Sequence, residues 1–437
     1  MFRKILRRMR RVGAIRAWAY LLRWLLISIP CGIIVGIAVS LFRLAIDGAN
    51  SYRAEHQLIM LPLLPLAGIV IVFIYKKAGF PHDNGTNDIV AAAHEGTSAV
   101  EWKKAPLVFA ASVLTHITGG SAGCEGASLQ IGGGILAPVS SLLKMNKNDS
   151  SVLMMTAIAA AFSALTGAPA ASAIFAIEIA IIGSIAYSAL IPCVFGAVSA
   201  YWTTRFLGLV REHYFIDGVP SVVDFPMLLK VALIGVCSAV FAIFFCRAMD
   251  YSRTYYKKYF KSGYVRIIVG GLLVGGITLL LGTDIYSGAG YATIEHAFVS
   301  NDMPIYVPII KVVLTALTLG AGFRGGEILP AFYIGSTMGS SVAVILGLEP
   351  SFGAALGFVA VFCGVTNCPL AAFALAAEIF TELVNAEAAM LYFGVAIAIS
   401  YLLSGYVGLY PAQVYYQPKL RLRKYRKTDV KNAEELE

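Results

Sequence analysis

The chain has 437 residues, of which 58% are hydrophobic and only 14% charged. A soluble globular domain carries about 25% charged residues, so the composition excludes one and describes an all-α polytopic membrane protein. The net charge of +9 gathers at the two ends.

Arg3, Lys4, Arg7, Arg8, Arg10, Arg11 and Arg16 open the chain without an acid, and Lys419 to Lys431 holds seven Lys or Arg against Asp429. Both clusters flank apolar segments. They read as positive-inside anchors rather than nucleic-acid-binding arms, which places both termini in the cytoplasm of a multi-pass cell-membrane protein. The expected division is a basic N-terminus 1–16, a first membrane repeat 17–210, a connector 211–226, a second repeat 227–416 and a short basic tail 417–437 with no regulatory domain.

Ala17 to Ala45 reads as a long first helix, interrupted at Pro30-Cys31-Gly32, and Leu58 to Tyr75 as a second apolar run. The polar turn Phe80 to Val90 follows, then Pro106 to Ile117, too short to span alone. Thr118 to Leu143 carries TGGSAGCEGASLQIGGGILA, with Glu125 between glycines in an otherwise apolar run. An acid at membrane depth costs ~2.5 kcal/mol or more on insertion scales, so it marks a functional site by default. If a helix starts there, its free amides face an anion or the glutamate itself.

Val152 to Leu165 and Ala168 to Gly183 are short pieces parted by Thr166-Gly167-Ala168-Pro169, and Ser184 to Leu209 is longer. The second half repeats the rhythm: Phe225 to Arg247, Arg266 to Leu281, Pro304 to Leu319 leading into AGFRGGEILPAFYIGSTMG, two short pieces split by TNCP, and Ala386 to Leu403. GAPAASAIFAIE at 167–178 matches NCPLAAFALAAE at 367–378, and GCEGASLQIGG at 123–133 matches GEILPAFYIGS at 326–336. Two matches in the same order at near-equal offsets argue for internal duplication. Broken helices are tolerated in lipid where they line a cavity, and pairs of them point to a transporter's binding site.

The seven cysteines form no CxxC pair and the six histidines are scattered, so no metal site, disulfide framework or cofactor is indicated. No nucleophile and base, paired histidines or acidic metal cluster suggests a membrane enzyme.

These motifs resemble the CLC family of anion channels and anion/proton antiporters, which carries GSGIP, GREGP, GxFxP and a late tyrosine. The second motif stands here as Gly123-Cys124-Glu125-Gly126-Ala127, the third as Gly326-Glu327-Ile328-Leu329-Pro330, the first weakly as Gly85-Thr86-Asn87-Asp88-Ile89, and the tyrosine as Gly408-Leu409-Tyr410-Pro411. The resemblance implies an inverted repeat of two halves with short, tilted or broken helices, forming a homodimer in the lipid bilayer. It implies halide anions and protons as the transported species. Glu125 would be the gating glutamate and Glu327 a second gating or proton acid. Thr86, Asn87, Gly123, Gly126, Ile328, Leu329 and Tyr410 would bind the anion.

Three departures matter: Cys124 replaces an arginine, Ile328 a phenylalanine, and Ile179 falls where an inner proton glutamate is expected, beside Glu178. Glu327 and Asn87 resemble the fluoride/proton subgroup, so fluoride and chloride both stay open, as does a passive channel without proton coupling. Other readings also stay open. Glu327 could pair with Arg324, Thr86 and Asn87 could cap a helix beginning near Asp88, and Tyr410 could be one more interfacial anchor. Glu178 and Glu378 read as helix-end acids, with proton conduction as the alternative.

Overall fold

The structure is a computed structural model that describes residues 2–416, apart from 82, 97–99, 210–213, 222 and 381–384, together with 419. The side chains of residues 2–14 lie outside the description, as does nearly all of the expected basic tail and part of the expected connector.

Among the described residues, helices of nine or more residues number eight in each half, in matching order. The first eight are α1 (Phe2–Glu55), α2 (Leu64–Lys77), α3 (Thr86–Glu95), α4 (Lys104–Ile117), α5 (Glu125–Leu142), α6 (Lys147–Thr166), α7 (Pro169–Glu178) and α8 (Leu190–Phe206). The second eight are α9 (Phe225–Tyr259), α10 (Gly263–Leu281), α11 (Tyr291–Val299), α12 (Val307–Ala321), α13 (Ile328–Ile345), α14 (Pro350–Thr366), α15 (Pro369–Ile379) and α16 (Ala386–Leu403). α5 and α13 have the same length, 18 residues, and each starts at one of the two glutamate motifs. Seven described segments are long and apolar enough to cross a membrane, and five apolar helices are shorter.

The expected breaks at 166–169 and 366–369 occur, and by one device. α6 ends at Gly167 and α14 at Asn367, both left-handed, with φ of 66° and 62°. Each is followed by a proline at the start of the next helix, where a missing N–H costs nothing. The expected break at Pro30 does not occur, because α1 runs through it. Gly32 and Gly36 press α1 against α8: a Cβ on Gly32 would lie 2.4 Å from the Gly196 carbonyl oxygen, and one on Gly36 3.0 Å from Ala200. Such close backbone approach is how helices pack in lipid, and it supports the helix across the proline.

The core follows the same rule. α13 and α14 meet through Gly335, Gly339, Gly353 and Gly357, where an added Cβ would come within 2.0–2.5 Å of the facing carbonyl or side chain. A stack of rings then joins the two halves. Phe332 lies flat on Phe358 at 4.0 Å, and Phe362 packs against both Phe162 and Phe175 of the first half. After α16 the chain returns inward. Val414–Tyr415 pairs in parallel with Ile181–Ile182, and Gln413 donates to the carbonyls of Ile179 and Thr366. Those bonds fix the loop that carries Tyr410.

Candidate functional site

The two glutamate motifs meet backbone to backbone. The Gly123 amide donates to the Gly326 carbonyl at 2.8 Å and the Gly326 amide returns the bond at 2.6 Å. Glycine is required at this crossing: a Cβ on Gly326 would stand 2.5 Å from the Gly126 nitrogen, and one on Gly123 would stand 2.7 Å from Leu329. The bridge brings the first turns of α5 and α13 together, so the unpaired amides of two helices share one small space.

Glu125 fills that space. It is the first residue of α5 and only 3% exposed, and its Oε2 accepts the Leu329 amide of α13 at 3.1 Å. Cys124 Sγ lies 3.8 Å from its other oxygen and 3.2 Å from the Tyr291 hydroxyl. A carboxylate thus sits at the N-terminus of the opposite helix, where partial positive charge and free N–H groups favour an anion.

Glu327 and Thr86 approach from the other side of Gly126, whose added Cβ would fall 2.9 Å from Glu327 Oε2 and 3.0 Å from Thr86 Oγ1. Glu327 is buried yet borders a cavity of about 900 Å³, which also reaches Thr86, Asn87, Arg253, Lys257 and Arg266. Arg324 does not pair with Glu327. Its guanidinium lies 2.8 Å from Asp83 and over the Tyr75 ring at 4.2 Å. Asp83 also holds Lys104 at 3.1 Å. Burial raises the Asp83 carboxyl, but Arg324 and then Lys104 outweigh it and hold it below the usual carboxylate range.

Thr86 and Asn87 do not cap α3 with their side chains. The helix begins at Thr86 after Gly85, whose φ of 65° needs a glycine. The Thr86 hydroxyl donates to the Gly126 carbonyl at 3.3 Å, and Asn87 Oδ1 accepts the Ala412 amide at 3.2 Å. Asn87 therefore ties the first motif to the tyrosine loop. Tyr410 is 2% exposed and lies within electrostatic reach of Glu327 and Glu125, and among the described residues its hydroxyl has no hydrogen-bond partner. Ile328 and Leu329 open α13, both buried. Gly123, Glu125, Gly126, Glu327, Leu329 and Thr86 thus meet at the crossing, and Asn87 lines the cavity that Glu327 and Thr86 border.

Two residues escape the sequence reading. Gln130, one turn into α5, donates to Thr86 Oγ1 at 3.3 Å and to the Gly126 carbonyl at 3.2 Å, and lines the cavity. Lys311 is fully buried on α12, donates to the carbonyls of Tyr286 and Gly288, and lies 4.8 Å over the Tyr333 ring. A single cation in the apolar run PIIKVVL was its available signal. Phe332 and Tyr333 themselves are packing residues.

With this geometry in hand, the comparisons with known proteins are specific. Residues 67–405 match the family model described as voltage gated chloride channel. The chloride/fluoride channel protein of Pseudomonas syringae pv. tomato is 34% identical over 400 residues, covering 90% of this chain and 87% of that one. The crystal structure of a CLC-type fluoride/proton antiporter matches with a TM-score of 0.85 at 29% identity, over 90% of this chain and 98% of that one. The structure of a slow cyanobacterial Cl⁻/H⁺ antiporter shares the fold, with a TM-score of 0.73 at 18% identity over 87% of this chain and 94% of that one. This chain, built on two glutamate motifs that cross at Gly123 and Gly326, belongs to the voltage gated chloride channel family.

Proposed function

We propose that this protein exchanges a halide for protons across the cell membrane, with Glu125 as the gate and Glu327 as the second acid of the same centre. The observation that carries the reading is the Glu125 carboxylate on the Leu329 amide, at the N-terminus of the opposite helix. A halide and that carboxylate compete for one set of N–H groups. Ionised, Glu125 holds the place. Protonated, it accepts poorly, leaves the amides and yields them to the anion, so each proton taken up opens the site for one anion.

Ile328 and Leu329 offer backbone amides, and Gly123 and Gly126 keep those amides uncovered. Thr86 and Tyr410 offer hydroxyls without fixed charge, which lets a permeant ion leave again. Asn87 sets the distance between the first motif and the Tyr410 loop. Glu327, at the edge of the large cavity, takes the proton between Glu125 and water. Both termini lie in the cytoplasm, and two copies form a dimer with one pathway each.

Fluoride and chloride are both substrates to test, since the similar proteins include a chloride/fluoride channel protein and a fluoride/proton antiporter. A second reading is a passive halide channel, in keeping with the similarity to the bacterial chloride/fluoride channel protein. Parallel fluoride and chloride fluxes in proteoliposomes, with and without a pH gradient, separate the two. Anion flux driven by a pH gradient supports exchange. A reversal potential that follows the anion gradient alone supports the channel.

A further inference from the structure

The carbonyl of Gly126, beside the crossing of α5 and α13, is claimed by two donors at once. Thr86, the first residue of α3, donates its hydroxyl at 3.3 Å, and Gln130, one turn further along α5, donates its side-chain amide at 3.2 Å. The same Gln130 nitrogen lies 3.3 Å from Thr86 Oγ1. A carbonyl oxygen only accepts, so the group that faces it is the NH₂, and the two N–H bonds of that group are divided between Gly126 and Thr86. Thr86, Gly126 and Gln130 are all buried.

This triangle holds one donor more than the carbonyl needs. A carbonyl oxygen has two lone pairs, so Gly126 stays bonded if either donor leaves. Thr86 has a single O–H, and with that proton on Gly126 nothing is left for an anion. While the Gln130 amide covers the Gly126 carbonyl, the Thr86 hydroxyl turns away without stranding a buried acceptor, which is the costly event in such sites. The second N–H of Gln130, on Thr86 Oγ1, fills a lone pair of that oxygen and turns its O–H to the far side. Thr86 and Gln130 both line the large cavity, so the freed O–H has a space to point into.

We propose that Gln130 is a positioning residue that releases the Thr86 hydroxyl to a halide. It binds no anion itself, because both of its N–H groups stay on Gly126 and Thr86. With Glu125 on the Leu329 amide, the hydroxyl rests on Gly126. When a halide arrives the hydroxyl rotates to it, and Gln130 alone holds the carbonyl. This role rests on the reading above in which Thr86 serves the anion, and it does not depend on proton coupling.

A double-mutant cycle of Thr86→Val and Gln130→Met tests it, read by calorimetric titration of the purified full-length protein with fluoride and, separately, with chloride. Thr86→Val removes a hydrogen bond to a charged group and should raise the dissociation constant about tenfold. Gln130→Met removes no group that touches the anion, yet it should do the same, because the hydroxyl must then stay on Gly126 or leave it bare. The double variant should bind like either single one, about tenfold weaker than the parent rather than about a hundredfold. Thr86→Ser keeps the hydroxyl, and should keep both the parent affinity and its loss on Gln130→Met. Gln130→Met that lowers the melting temperature and leaves the dissociation constant in place overturns the proposal, and so does a hundredfold loss in the double variant. If the double variant does not fold, the single changes decide; if Gln130→Met does not, Gln130→Leu takes its place. A parent that binds neither halide overturns this role and the transport reading together. The expected cycle in a parent whose halide flux carries no protons supports Gln130 and overturns the exchange reading alone.

Discussion

Glu178 and Glu378 hold each other's helices. The carboxylate of Glu178 ends α7 and accepts the amides of Leu370 and Ala371 at 3.2 and 2.8 Å, the first turn of α15. The carboxylate of Glu378, in the last turn of α15, accepts those of Ala170 and Ala171 at 3.0 and 2.8 Å, the first turn of α7. The matching glutamates are thus reciprocal caps across the two halves, which accounts for them as helix-end acids. Replacing either with glutamine puts an NH₂ against an amide N–H and removes charge-assisted bonds, which contribute about 1.5–3 kcal/mol each. Glu378→Gln should lower stability in detergent by ~2 kcal/mol and leave the ratio of protons to anions unchanged, as measured by denaturant titration and paired flux assays.

The Asp83 clamp gives a pH dependence. Arg324 and Lys104 keep the Asp83 carboxyl below its unfolded value despite its burial, so its contribution is present above the ordinary carboxylate range and is lost as pH falls through the depressed folded value. Thermal melting of the parent and of Asp83→Asn should therefore differ at neutral pH and converge in acid. The motif loop Gly325–Gly326 should loosen in the variant, since Arg324 is its anchor.

Gly326→Ala should abolish most anion flux while the protein stays folded enough to purify. The new Cβ meets the Gly126 and Glu125 nitrogens at 2.5 and 3.0 Å, so the two helix N-termini must part. Halide-dependent flux in proteoliposomes checks it.

Tyr410→Phe separates binding from folding. Among the described residues the buried phenol has no hydrogen-bond partner, so removing it should not destabilise the chain. If that hydroxyl serves the anion, affinity should fall about tenfold, the worth of one hydrogen bond to a charged group. Calorimetric titration with halide, beside a melting curve, measures both.

The repeat and the two glutamate motifs were legible because they rest on local chemistry. A left-handed cap before a proline leaves the same mark at Gly167 and Asn367, and a buried acid among glycines is rare enough to stand out. What stayed hidden depends on distant partners. Asn87 has its contact at Ala412 and Arg324 has its own at Asp83, and no periodicity links such positions. Pro30 predicted a break that packing against Gly196 and Ala200 overrides, a tertiary effect beyond any local rule.

In the proposed exchange, one carboxylate serves both proton and anion at the crossing of α5 and α13. Proton movement driven by an anion gradient, recorded in proteoliposomes for the parent and for Glu125→Gln, tests it most directly. Coupled proton movement is expected in the parent and none in the variant, with anion flux remaining. Proton pumping of equal size in both would contradict it.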